Sequence, residues 1–340
     1  MTAFAATLAR SPELFPHALD PKTGAVSLIR LTEADYRAAS FLDGRVLTPQ
    51  TISRVIAWPE IEQAVAGLPE ACDFIFHIGH VGSTLLSRLL GAHPKILPVR
   101  EPAILRTLAD SRSTWSADTF ETRTSAFLKL WSRTFAKDQR AVVKATSIAS
   151  ELASDLLARD YAPKAIFMAV SPETYLATIF GGPNSRAETK VLAQARYTRL
   201  NRRIGRPAVQ PATLSEGEFI AVSWACEMTA LHAAHVRAQD RVMLVDFDKF
   251  LAEPAPLLLA AFKHLGIDAS AADVAAILAG PDMSRYSKAP EYSYDSKLRS
   301  DVLNQARAQH AGEIARGLNW LDRLSDASPM LRDARAYSPI

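Results

Sequence analysis

The chain has 340 residues, 48% apolar and 22% charged, which suits a globular fold with a sizeable core. Lys plus Arg is 39 against 36 for Asp plus Glu, and the net charge of +3 is too small to argue for nucleic acid or a membrane surface. Two cysteines, Cys72 and Cys226, offer neither a disulfide framework nor zinc spacing, and no basic leader or long apolar run occurs. The expectation is a cytoplasmic protein with no membrane span and no metal site.

In chain order, residues 1–70 read as an extension packed beside the main sheet. Within it, Val26–Arg30 suits a strand. Thr32 caps a helix running to Ala39, with Glu33 and Asp35 in its first turn, where acids complement the helix dipole. Leu47 to Val55 is ambiguous, and Trp58-Pro59-Glu60 opens a helix to about Ala66.

Asp73 to His93, DFIFHIGHVGSTLLSRLLGAH, organises the rest. Phe74-Ile75-Phe76 suits a buried strand. Gly79 and Gly82 then let the backbone approach a ligand closely, and Leu85, Leu86, Leu89 and Leu90 follow at helical spacing. The first amides of that helix lack intrahelical partners and favour an anion, and Ser83 and Thr84 can cap the helix or donate to a phosphate oxygen. This is no Walker A loop, because Ser83 stands where the lysine belongs. The plain alternative is an ordinary strand-to-helix turn with a serine cap.

Ile96 to Val99 suggests a second strand with Arg100 and Glu101 just beyond it. Those two residues are either placed for chemistry or a surface ion pair. Helices are expected over Ala103 to Leu108 and Asp118 to Phe135. Ala141 to Ala145 suggests a third strand, with Lys144 in an apolar run where a lysine needs a partner. Ser147 caps a helix to about Arg159. Lys164 to Val170 is a strand ending at the Ser171-Pro172 cap of a helix to Phe180. Gly181 to Arg186 reads as a loop. Glu188 to Ile204 reads as a basic helix with a solvated face. Ser215, with Glu218 three residues on, caps a long buried helix to Gln239. Arg241 to Val245 suggests a fifth strand, Pro254 to Leu265 a helix ended by Gly266, and Ala271 to Leu278 another. Ser284 to Lys288 is a basic loop, and Asp295 to Leu324 holds terminal helices. Strands alternating with helices predict an α/β fold, a three-layer sandwich around a mainly parallel sheet, with 1–340 as one domain.

Taken together, these motifs resemble the sulfotransferase superfamily, a P-loop NTPase-like α/β fold that uses 3′-phosphoadenosine 5′-phosphosulfate (PAPS). Gly82-Ser83-Thr84-Leu85-Leu86 is similar to the family's 5′-phosphosulfate loop. GSTLLSRLL followed by His93-Pro94 is similar to bacterial members and to tyrosylprotein sulfotransferases, in which a catalytic glutamate follows at the spacing of Glu101. The family's lysine after the next strand falls on Lys144, and its 3′-phosphate segment on Val170-Ser171-Pro172 through Thr178. The late Tyr-Glu-Asp-Leu pattern is similar to Phe247-Asp248-Lys249-Phe250, with Pro254 and Leu265-Gly266 beyond. The resemblance covers residues 73–266, leaving 267–340 as C-terminal helices.

Three positions depart from the pattern: His80 where the loop carries a cation, Val170 where an arginine opens the 3′-phosphate segment, and Thr178 for serine. Arg186, Arg285 and Lys288 are candidate replacements for the lost charge-assisted contacts. The resemblance thus implies Gly79, His80, Val81, Gly82, Ser83, Thr84, Leu85, Ser171 and Thr178 at the cofactor. It implies Glu101 as general base, with His80 and Lys144 stabilising charge on the sulfonate and the leaving phosphate. The acceptor would be a small-molecule or peptide hydroxyl, with Trp115, Trp131, Tyr175, Tyr197 and Tyr292 either lining its pocket or forming core. The rivals are a nucleotide-dependent kinase, with Val242 to Asp246 as its metal-binding strand, and a degenerate binding protein of the same fold.

Overall fold

A computed structural model describes residues 2–205, 213–288, 291 and 295–339. Among the described residues, eight strands form two sheets. Strands β1 (Leu14–Leu19), β2 (Val26–Arg30) and β3 (Ser53–Ile56) make an antiparallel sheet in that order. Strands β4 (Asp73–His77), β5 (Ile96–Arg100), β6 (Arg140–Lys144), β7 (Ala165–Ala169) and β8 (Val242–Asp246) make a parallel sheet in the order β5-β6-β4-β7-β8.

The fold is therefore α/β, with helices covering a central parallel sheet. Every residue of β4, β5 and β7 is buried, as strands covered on both faces require. Phe76 meets Phe167 of the adjacent strand edge to face, with centroids 5.8 Å apart. After β4 the chain visits β5 and β6 on one side and later β7 and β8 on the other. The carboxyl end of β4 is thus the point where strand order reverses, and there a crevice opens.

The first 70 residues supply the small sheet, and Arg100 ties them to the large one. Its side chain, 1% exposed, donates to Ser87 Oγ (3.0 Å) and to the carbonyls of Tyr36, Arg37 and Ala39 (3.2, 3.0 and 2.7 Å). Arg100 is thus the last residue of β5 and a structural clamp, neither beyond the strand nor half of a surface pair.

Other expectations change with partners that lie far off in sequence. Gly181 to Arg186 is not a loop: the helix spans Pro183–Ile204, with proline in its first turn, where its missing N–H costs nothing. That helix leaves Lys190 and Arg202 in solvent but turns Arg196, Arg199 and Arg203 inward. Arg196, 1% exposed, donates to Glu227 (2.9 Å) on the buried helix Glu216–Arg237; Arg199 reaches the same carboxylate (3.0 Å), and Arg203 pairs with Glu151. Ser147 opens a short 3₁₀ turn (Ser147–Leu152) without capping it, and the helix proper is Ala153–Leu157.

The long helix Ser296–Ala327, followed by a last helix Pro329–Tyr337, bends at His310 and crosses Glu216–Arg237 where two glycines meet. A Cβ on Gly217 would lie 1.9 Å from the Glu313 carbonyl oxygen, and one on Gly317 2.6 Å from that of Gly217. This close crossing brings Arg299, Val302 and Leu303 over the β4 crevice.

Candidate functional site

The bend after β4 has three left-handed residues: Gly79 (φ 93°), His80 (φ 55°) and Gly82 (φ 68°). At Gly82 only glycine fits, since an added Cβ would stand 1.9 Å from Phe247 Cε2. Gly82 is the N-cap of helix Ser83–Gly91, and no side chain caps it. Ser83 and Thr84 are 4% and 1% exposed, and Thr84 Oγ1 is buried without a hydrogen-bond partner. An orphaned buried hydroxyl costs on the order of 1–3 kcal/mol.

His77, the last residue of β4, carries no motif signal in the sequence, because its role depends on backbone groups the fold brings to it. Its Nδ1 accepts from Gly79 N (3.0 Å) and its Nε2 faces Ala145 O (2.9 Å), so the ring is neutral and holds the bend by two backbone contacts. Burial, with Lys144 and Lys288 nearby, pushes its pKa well below the ordinary value.

Two cavities meet at this bend. The first, about 360 Å³, is lined by Val81 to Leu85, Thr178, Phe247, Arg285, Lys288 and Arg299. Arg299, 5% exposed, is an addition no motif announced; its guanidinium sits 4.8 Å from the Phe247 ring and donates to Asp248 Oδ1 (2.8 Å). The second, about 590 Å³, is lined by Gly79, Glu101, Ser147 and Arg106, and by Phe41, Asp43, Gly44 and Arg45 of the N-terminal segment. His77, His80 and Lys288 belong to both.

Glu101 has a left-handed backbone (φ 51°), and its N–H donates to Lys144 O (2.7 Å). Its carboxylate is ion-paired to the fully buried Lys144, while Arg45 Nη2 lies 3.5 Å from its other oxygen. Burial lowers the Lys144 pKa, and Glu101 pulls against that shift. Lys144 lines neither cavity; it meets the site through Glu101.

His80 Nδ1 lies 3.1 Å from Ser185 Oγ, and its Nε2 3.4 Å from Glu188 Oε2. Burial lowers its pKa, so the imidazole is neutral near pH 7, and its contact holds the Glu188 carboxyl down at about 2.

Among the other expected site residues, Gly79, Val81, Leu85, Thr178, Arg285 and Lys288 surround the bend or its cavities. Two do not. Ser171 caps its helix, accepting from Thr174 N (3.2 Å), and Arg186 pairs with Glu216 (2.6 Å). Trp131 and Tyr175 are core residues, 2% and 0% exposed; Trp115 and Tyr197 line neither cavity, and Tyr292 lies outside the described residues. Asp246, at the end of edge strand β8, accepts from Asp248 N (2.8 Å) as its own helix cap. It lines neither cavity, which leaves the kinase reading without its metal-binding acid. Among the described residues, no helix is long and apolar enough to cross a membrane.

No known family model matches the chain, and no curated protein matches it. Solved structures are similar in fold. One is a sulfotransferase domain from the curacin biosynthetic pathway, at 12% identity and TM-score 0.43, with 72% of this chain and 99% of that one covered. A mouse sulfotransferase complexed with PAP is 12% identical at TM-score 0.42, covering 79% and 90%. A sulfotransferase from Alicyclobacillus acidocaldarius is 14% identical at TM-score 0.37, covering 74% and 95%. At such scores the likeness carries no functional argument, and the residues of the site must carry it.

Proposed function

We propose that the chain is an enzyme transferring a sulfonate from PAPS to the hydroxyl or phenol of a small-molecule or peptide acceptor. The observation that supports this best is the junction of the two cavities. An uncapped helix N-terminus with an orphaned hydroxyl faces one, an ion-paired carboxylate faces the other, and His80 and Lys288 border both. Such a layout separates an anionic donor from an acceptor whose proton must be removed.

The residues present fit the donor. The amides of Gly82 to Thr84 and the Thr84 hydroxyl suit anionic oxygens. Arg285, Lys288 and Arg299 replace the cations missing at His80 and Val170, with Thr178 beside them, and Phe247 offers an aromatic face to a base. When bound, PAPS supplies a sulfonate whose bond to the 5′-phosphate is exchanged for one to the acceptor oxygen. Glu101 takes the acceptor proton, a role worth about 10²–10⁴-fold in rate. Lys144 is the positioning residue for Glu101. Neutral His80 is a positioning residue: its single N–H faces Glu188 and its other ring nitrogen faces Ser185, so it shapes the junction.

The test is PAPS-dependent sulfonation of a phenol panel followed by mass spectrometry. Products carrying a sulfonate, lost in Glu101→Gln, are expected. Turnover unchanged in Glu101→Gln would refute the base assignment.

A further inference from the structure

Building on this group-transfer reading, the geometry points to an acceptor that itself carries a negative charge. We propose a hydroxyl compound with an apolar body and an anionic group, held by Arg106.

Each acid lining the Glu101 cavity already has a cationic or imidazole neighbour. Asp43 accepts from Arg45 Nε (2.8 Å), Glu101 is paired to Lys144, and Glu188 faces His80 at 3.4 Å. Arg45 is itself committed: besides Asp43, it lies flat on the Phe41 ring at 3.3 Å. Lys288 borders the donor cavity as well, where its charge serves the donor. Arg106 differs. It lines the acceptor cavity alone, and among the described residues it makes no hydrogen bond or ion pair. The charge left over on the acceptor wall is therefore positive.

The apolar part of the wall is Phe41, Pro102, Ala103, Leu192 and Val191, the last 82% exposed at the mouth, with Thr146 and Ser147 adding hydroxyls. Apolar surface left in water at a cavity mouth gains from an apolar ligand body. Arg106 stands one helical turn, roughly 5 Å, beyond Ala103, so the hydroxyl and the anion sit at opposite ends of that body. A volume of about 590 Å³ matches a small molecule of this kind. An unpaired guanidinium discriminates because a charge-assisted hydrogen bond is gained only with the anionic acceptor.

The test uses phloretate, a phenol with a carboxylate at its far end, and its neutral methyl ester. With PAPS, the wild type is expected to favour phloretate roughly two- to fivefold in kcat/KM, as fits an ion pair to the exposed Arg106. Arg106→Gln should bring the ratio close to one, mainly through KM, and Arg106→Lys should retain part of it. Equal use of acid and ester by the wild type, or an unchanged ratio in Arg106→Gln, would overturn the proposal. Failure of the transfer reading shows separately, as no stabilisation by adenosine 3′,5′-bisphosphate and no turnover of either phenol. The anion preference is then read by ligand-observed NMR, where binding of phloretate over its ester, lost in Arg106→Gln, supports it, and equal or no binding overturns it.

Discussion

The Lys144 ammonium and the Glu101 carboxylate form an ion pair at the carboxyl ends of neighbouring strands β6 and β5. Lys144 is fully buried, and the Glu101 carboxylate compensates its charge. Removing one partner of such a pair leaves an uncompensated charge and costs about 3 kcal/mol or more. Glu101→Gln should therefore lose stability in urea unfolding as well as activity. Adding Lys144→Met should restore much of the stability and none of the activity.

Thr84→Val separates binding from folding. The hydroxyl has no partner, so its loss should leave urea stability unchanged or raise it by up to about 1 kcal/mol. The affinity for adenosine 3′,5′-bisphosphate should fall about tenfold in calorimetric titration, because the ligand oxygen loses its donor.

Gly82→Ala meets two obstacles at once. Its left-handed backbone (φ 68°) costs about 1–2 kcal/mol for a residue with a Cβ, and that Cβ would overlap the Phe247 ring. The melting temperature should fall and bisphosphate binding should disappear. Phe247→Ala in the same chain should recover part of the stability, since the overlap is relieved and the backbone strain stays.

Much of this was legible in the chain, and the remainder was not for physical reasons. Val26–Arg30 and Ala271–Leu278 match the expected boundaries, because local pattern and caps fixed them. Ser215 with Glu218 makes the expected capping box. Glycines at 79 and 82 announced the bend. The failures concern partners far away in sequence. Arg196 is buried because Glu227 meets it inside, and no periodicity of the basic helix reveals that acid. Pro183 starts a helix although two glycines before it suggested a loop. His77 and Arg299 act through what the fold brings to them, and Arg186, a reasonable replacement cation by sequence, is taken by Glu216.

The histidines at the bend predict a pH dependence. Burial lowers the pKa of His77 well below, and that of His80 below, the ordinary imidazole value. As pH falls, the unfolded chain therefore takes up these protons first. Stability is fully present above about pH 6.5 and is lost as pH falls through the folded-state values. Urea unfolding from pH 7 to 5 should show this decline, and His77→Gln should make it shallower. In Glu188→Gln, NMR titration should find the His80 pKa lower still, since Glu188 is the neighbour that raises it.

The most direct test of the central claim is a thermal-shift titration with adenosine 3′,5′-bisphosphate, run beside ATP with magnesium. A ligand bound only by the folded chain stabilises it by about 2.7 kcal/mol at a hundredfold its Kd. A saturable rise in melting temperature with the bisphosphate, weakened in Thr84→Val, is the predicted result. No response to the bisphosphate, or a response to ATP with magnesium alone, would contradict the claim that the Gly82 bend holds a sulfonate donor.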